Sequence, residues 1–266
     1  FLVLILAGTS AEAKIHSPAE EELSRLTKRF DLRKAKERSL LKHVEQLNTL
    51  IEKTGFPRTG KFDFSELTNA EIAEMASRSQ QVVQSRKDLI RLAAELISET
   101  MVAYGIGDPK KPISGTIKSG PPNRPSVPEA MGSNLGQLAT FLPQFSPTLP
   151  DGKAGFTDYA GNVQIGWGAF AYPGKLAATL YHEQQHVKDL LEANKDLRND
   201  PAVELRIRTN QRKAMADVFK LNAADLRNYD AVIAKLPEAI VKWEEKMAEG
   251  WDPFHSGHWK LVFNSI

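Results

Sequence analysis

A single pentapeptide, His-Glu-Gln-Gln-His within residues 180–189, sets the strongest requirement on how this chain folds. The apolar residues around it predict a helix over about residues 175–194, with no proline inside it. In a helix, residues four apart lie on one face, so His182 and His186 can direct two imidazoles at one point. Glu183 lies about 100° round the helix from His182, where it can face a metal-bound water without being a ligand. The spacing therefore predicts a metal site on one rigid element.

This motif has a defined chemistry, in which two histidines bind zinc and the glutamate acts as general base. On these residues the chain resembles the zincin metallopeptidases, over about residues 162–219. The resemblance implies zinc-dependent hydrolysis of peptide bonds, with His182 and His186 as zinc ligands and Glu183 as the base. The competing interpretation is a solvated polar helix face that spells the motif by chance.

A catalytic zinc takes three protein ligands and leaves its fourth position to water. Because the chain has no cysteine, the third ligand must be a histidine, an aspartate or a glutamate. Glu204 is the first candidate, since it lies eighteen residues beyond His186, in a predicted helix that begins at Pro201. A glutamate so placed resembles the gluzincin branch, although the Asn-Glu-x-x-Ser/Asp signature is absent. Asp189 is the nearest rival, but its rise of about 10 Å from His182 suits an outer role beside the site better.

The sequence leaves the group that would stabilise an oxyanion open. His255 and His258 lie in an irregular C-terminal tail, and either could donate a hydrogen bond. Tyr172, Tyr181 and Tyr229 could do the same. Nothing in the spacing chooses among these five residues.

Residues 162–172 predict a strand immediately before the metal helix, because apolar residues alternate with glutamine and glycine there. In zincins a strand at this place commonly forms the sheet edge against which an extended substrate pairs. The resemblance therefore implies that Gly166, Trp167 and Gly168 contact the substrate, with the glycines allowing close approach of its backbone. The alternative is an ordinary edge strand with no substrate role.

The first part of the chain predicts a long helical hairpin over residues 14–104. Apolar residues recur there at spacings of three and four, and Ser17 and Thr68 each open a capping box. Two such helices joined by a loop favour an antiparallel pair. The mostly charged segment 31–38 predicts either a break in the first helix or an exposed stretch of it.

Residues 105–161 contain most of the prolines and many glycines, which predicts a linker that also lines the catalytic unit, with a short helix at 135–141. Residues 162–266 are predicted as a small zincin-like catalytic domain with a short sheet, and further helices at 223–235 and 237–248. The fold class expected is mainly α (α+β).

Charge and composition limit the partners and the compartment. The chain has 35 basic and 33 acidic residues and a net charge of +2, so it has no electrostatic footprint for nucleic acid. The apolar start, within residues 1–13, is too short to span a bilayer and ends in a small-x-small pattern typical of a secretory signal peptide. This predicts an exported protein, periplasmic or secreted, with its mature start near Lys14. The alternative is an apolar segment that packs on the domain.

Taken together, these patterns predict an exported zinc metallopeptidase acting on a protein or peptide. The N-terminal hairpin could inhibit or deliver the enzyme. Two rival functions stay open: a zinc-binding protein without peptidase activity, and a helical interaction module in which the motif binds no metal.

Overall fold

The computed structural model describes residues 18–55, 62–118, 137–150, 153–158, 160–192 and 201–249. Long helices dominate this part of the chain, and the strands are short, which confirms the predicted mainly α (α+β) class. The helices are α1 Pro18–Lys53, α2 Asn69–Ala103, α3 Pro173–Leu191, α4 Pro201–Asp217 and α5 Ala223–Ala248. The strands are β1 Ser114–Thr116, β2 Leu138–Thr140, β3 Gln144–Phe145, β4 Gly155–Thr157 and β5 Val163–Ile165.

Helices α1 and α2 form the predicted antiparallel hairpin. Ion pairs join Arg29 near the start of α1 to Glu95 near the end of α2, and Lys53 at the end of α1 to Glu71 at the start of α2, so the two helices run in opposite directions. The predicted capping box at Thr68 is present, with the backbone N–H of Glu71 donating to its hydroxyl at 3.2 Å. The charged segment 31–38 does not break α1, and most of its residues are exposed.

The strands form two small sheets, and four of the five strands lie in the segment predicted as a linker. Strands β1 and β2 pair antiparallel, while β3 runs parallel and β4 antiparallel to the central strand β5. The helix predicted at 135–141 is wrong for its described part, where Leu138–Thr140 is strand β2. There Leu138 faces solvent while Ala139 packs on Ile117 and Leu190, an alternation that fits a strand.

The strand predicted over residues 162–172 is shorter than expected. It ends at Ile165, and Trp167–Ala171 forms a 3₁₀ helix instead. Both Ala169 and Phe170, inside this 3₁₀ helix, are fully buried in the core. The prediction that this strand forms the sheet edge is also wrong, since β5 lies between β3 and β4.

The last two predicted helices are one helix, α5, with Pro237 inside it. A proline removes one intrahelical hydrogen bond and usually ends or kinks a helix. Here Leu236 and Ala239 are buried on either side of it, so tertiary packing keeps the helix continuous.

One hydrophobic core joins the hairpin, the sheet and α3. Phe30 of α1 and Phe170 lie 6.4 Å apart between ring centroids, and both are fully buried. Leu96 and Met101 of α2 and Leu180 of α3 belong to the same cluster. The core thus crosses the boundaries predicted at residues 104 and 161, while the domain division itself stays a prediction. None of the described helices is long and apolar enough to cross a bilayer.

Candidate metal centre

Helix α3 holds its two histidines rigidly because its opposite side is anchored in the core. Leu176, Leu180 and Val187 on that side are fully buried. The helix starts at Pro173, where a proline needs no hydrogen-bond donor. His182 and His186 then lie one turn apart and face α4.

The structure brings the three predicted ligand residues together. The Nε2 atoms of His182 and His186 lie 3.2 Å apart. Glu204, in the first turn of α4, places Oε1 3.2 Å from Nε2 of His186 and Oε2 3.6 Å from Nε2 of His182. Among the described residues this is the one group of ligand-type side chains with all its donor atoms close together, within 4.8 Å.

These separations fit a tetrahedral divalent ion. Zinc bonds of about 2.0–2.1 Å to nitrogen and oxygen place neighbouring ligand atoms roughly 3.3–3.4 Å apart. The separation of 3.2 Å between the two Nε2 atoms and that of 3.2 Å between Oε1 and His186 are close to this value, while the approach to His182 at 3.6 Å is made by the other carboxylate oxygen, Oε2. Two imidazoles and a carboxylate also suit other divalent transition metals, so this group could hold a metal ion but does not identify that ion as zinc.

The ring of His182 is oriented by a buried glutamine on α4. Its Nδ1 lies 3.3 Å from Oε1 of Gln211, and with this amide oxygen as the acceptor it is Nδ1 that carries the proton. Nε2 is then the unprotonated nitrogen that a metal requires. The sequence analysis missed Gln211, although its position seven residues after Glu204 places it on the same face of α4.

The carboxylate of Glu204 is held by an arginine. Burial alone would raise the pKa of Glu204, but the nearby His182 and His186 and the charge of Arg208 hold it well below its usual value. The Nε of Arg208 donates to Oε2 at 2.9 Å. The sequence analysis did not single out Arg208, though a position four residues after Glu204 on a helix is the signal for such a pair.

The predicted base, Glu183, lies beside the three ligand residues and is only 5% exposed. Its Oε2 accepts a hydrogen bond of 2.7 Å from the hydroxyl of Thr157 on β4. Gly155, at the start of β4, packs so closely that a Cβ there would lie 2.5 Å from Oε1 of Glu183. The edge strand beside Glu183 is therefore β4, whose Thr157 lies twenty-six residues before Glu183 in the sequence. It is not the strand predicted over residues 162–172.

Of the residues predicted to contact substrate, Gly166 follows β5 directly, and Trp167 and Gly168 open the 3₁₀ helix. A Cβ on Gly166 would lie 2.6 Å from the carbonyl oxygen of Lys153, so this glycine allows close packing within the protein. Trp167 packs edge-on against Phe145, with ring centroids 4.5 Å apart. Gly168 is exposed. The substrate role of these residues stays a prediction.

The other candidates are placed as follows. Asp189 is buried and forms an ion pair with Arg206, which ties α3 to α4 outside the ligand group. Of the three candidate tyrosines, Tyr229 donates its hydroxyl to Gln211, the partner of His182, whereas Tyr172 bonds to Asp225 and Tyr181 packs on Phe219. His255 and His258, and the segment 1–13, lie outside the described residues.

Comparison with known proteins offers no relative from which a function could be transferred. No protein-family model, no curated protein and no solved structure matches this chain. The resemblance to zincins therefore rests on the His-Glu-Gln-Gln-His motif and on the three-residue group alone. By composition, that group belongs to the class of sites in which two imidazoles and one carboxylate hold a metal ion.

Proposed function

We propose that this protein is a zinc-dependent metallopeptidase. The observation that carries the proposal is the approach of His182, His186 and Glu204 to mutual separations of 3.2–3.6 Å. Three ligands leave a fourth position for water, which is the arrangement of catalytic rather than structural zinc sites. Glu183 follows His182 directly in the sequence and does not belong to this group, which leaves its carboxylate available as a base.

When bound, zinc supplies an activated water, by lowering the pKa of that water towards about 7. The chain's own residues do the rest. The carboxylate of Glu183 accepts the proton of the attacking water and delivers it to the leaving amine. The hydroxyl of Thr157 fixes the direction of that carboxylate, and burial excludes bulk water from it.

An extended peptide is the substrate that best suits the surroundings of Glu183. Within the described part of the chain, β4 pairs with β5 and with no other strand, and its Thr157 bonds to Glu183. The unpaired side of an edge strand can hydrogen-bond the backbone of an extended peptide. The role of pairing with an extended substrate, expected of residues 162–172 from the sequence, is therefore proposed for β4.

Metal content is the first test. Purified protein should carry about one zinc per chain, and His186→Ala should lose it. His43→Ala is the matched control, because His43 lies on α1 and contacts Arg78 rather than the ligand group. A wild-type chain that takes up no zinc, even after incubation with the metal, would refute the proposal and leave the helical interaction module as the better function.

Hydrolysis is the second test. Glu183→Gln should keep the zinc but lose cleavage of an unstructured protein such as casein, because the amide cannot accept the proton. Full activity in that variant would remove Glu183 as the base. Bound zinc without cleavage by the wild type, over a broad set of peptides, would favour the alternative of a zinc-binding protein without peptidase activity. Export of the protein stays a prediction.

A further inference from the structure

The carboxylate of Glu204 straddles the histidine pair, so it can hold an ion through one oxygen or through two. Its Oε1 lies 3.2 Å from Nε2 of His186, and its Oε2 lies 3.6 Å from Nε2 of His182. The difference matters for the chemistry. Coordination through one oxygen leaves the fourth position to water, whereas coordination through two oxygens crowds that position.

One of the two oxygens is already engaged. The Nε of Arg208 donates to Oε2 at 2.9 Å, while Oε1 makes the closer approach to a histidine. A hydrogen bond from a guanidinium to a carboxylate is charge-assisted and is therefore among the stronger ones in proteins. It draws electron density from Oε2 and fixes the carboxylate plane, which favours Oε1 as the metal-binding atom.

The arginine is itself held by a residue of α5. Its guanidinium carbon lies 5.3 Å from the ring centroid of Tyr229, a cation–π distance. The hydroxyl of Tyr229 donates at 3.4 Å to Oε1 of Gln211, the same oxygen that faces Nδ1 of His182. Tyr229 therefore contacts the partners of two different ligands, with its ring face towards one and its hydroxyl towards the other.

We propose that Arg208 and Tyr229 are positioning residues that restrict Glu204 to a single metal-binding oxygen and so keep a coordination position open for water. The inference rests on the proposed zinc site and adds to it the determinant of its coordination number. It also gives α5 a function, although that helix supplies no ligand. A residue that acts through Glu204 should change how the metal is bound before it changes anything else.

Cobalt(II) provides the readout, because it substitutes for zinc and reports its own coordination. Four-coordinate Co²⁺ absorbs visible light more strongly than five- or six-coordinate Co²⁺, since a tetrahedral field has no inversion centre. We expect a strong four-coordinate spectrum for the wild type loaded with Co²⁺ alone. Arg208→Met keeps much of the aliphatic side chain but removes the guanidinium. Its visible absorption should be weaker than that of the wild type, because Oε2 of Glu204 then also binds the metal. Zinc X-ray absorption on the same variant should count one additional oxygen neighbour.

Three further variants make the test specific. Tyr229→Leu removes both the aromatic ring that faces Arg208 and the hydroxyl that bonds Gln211, and it should reproduce part of the loss of absorption. Tyr229→Phe keeps the ring and should retain more of the wild-type spectrum. Arg212→Met is the matched control. Arg212 lies one turn further along α4 and pairs with Asp230 through a bond of 2.8 Å, so its loss should leave the spectrum unchanged.

The outcomes separate this inference from the function on which it rests. An unchanged four-coordinate spectrum in Arg208→Met would overturn it, and so would a wild type that is already five-coordinate through both oxygens. Loss of all Co²⁺ binding in Arg208→Met alone would mean that the arginine is needed for binding itself, which also refutes a role in choosing the oxygen. Failure of the wild type to bind either metal would instead overturn the metal centre as a whole.

Discussion

Replacing Gly155 with alanine adds one methyl group at the point where β4 passes over the proposed base. A Cβ there would lie 2.5 Å from Oε1 and 2.9 Å from Cγ of Glu183, and 2.8 Å from Cγ2 of Thr179. Unstrained contacts between heavy atoms of this kind need about 3.5 Å. Either β4 or the side chain of Glu183 must therefore move by about 1 Å, the difference between 3.5 and 2.5 Å.

The size of the effect follows from which of the two moves. A shift of the strand strains a packed interior by about 1–3 kcal/mol. A shift of Glu183 weakens its hydrogen bond from Thr157, and a bond to a charged group contributes about 1.5–3 kcal/mol. Alanine also lowers the conformational entropy of the unfolded chain, which stabilises the folded state by about 0.4–1 kcal/mol. Gly155→Ala should therefore lower the free energy of unfolding by roughly 0.5–2.5 kcal/mol.

Urea denaturation of a double-mutant cycle measures this effect. In a Glu183→Ala background two of the three close atoms are gone, so Gly155→Ala should be less destabilising there by about 1 kcal/mol or more. Gly168→Ala is the control, because a Cβ on Gly168 meets nothing nearer than 3.5 Å, and its effect should stay within about 0.5 kcal/mol. Equal destabilisation by Gly155→Ala in both backgrounds would refute close packing of β4 on Glu183.

Two further predictions concern the junction at the start of α3. Asp225→Ala should lower the free energy of unfolding by about 1.5–3 kcal/mol, because Asp225 accepts hydrogen bonds from Tyr172 at 2.6 Å and Lys175 at 3.0 Å. Burial would raise the pKa of Asp225, but these bonds keep it below the usual value. The stabilisation is therefore complete above about pH 5 and is lost as the pH falls below about 4. A difference in unfolding free energy between wild type and variant that grows in acid would contradict this. Gly174→Ala should be destabilising by about 3 kcal/mol or more, since its Cβ would overlap the backbone carbonyl of Phe219, which cannot rotate away; a stability within about 0.5 kcal/mol of wild type would refute that contact.

Local signals in the sequence were enough for the helices and for the residues that they present. The capping box at Thr68 and the apolar spacing predicted the hairpin, because both depend on residues within one or two turns. The four-residue spacing of His182 and His186 fixed their common face for the same reason. Glu204 was found because its helix begins at Pro201, which places it in the first turn.

Non-local pairing explains what the sequence did not reveal. Strand β4 has three residues, too few for a period of two to stand out, and it becomes a strand only because β5 pairs with it. The same holds for β2, where pairing with β1 overrides the helix predicted at 135–141. Pro237 gave a misleading local signal, since packing of Leu236 and its neighbours outweighs the missing hydrogen bond.

The contacts around the site bear on whether the motif is there by chance. On a solvated helix face, the histidines and the glutamate would be exposed and would lack partners from distant parts of the chain. Here His186 is 4% and Glu183 5% exposed, although both are polar residues that are rarely buried without a partner. Two of these side chains are also held from another element, Glu183 by Thr157 of β4 and His182 by Gln211 of α4, while the arginine that bonds Glu204 packs on Tyr229 of α5. Two imidazoles from α3 and a carboxylate from α4 approach one another to 3.2–3.6 Å, and a chance motif on a solvated face would not bring a ligand-type side chain of a second helix to this point, which is why the arrangement favours a metal centre over a coincidence of sequence.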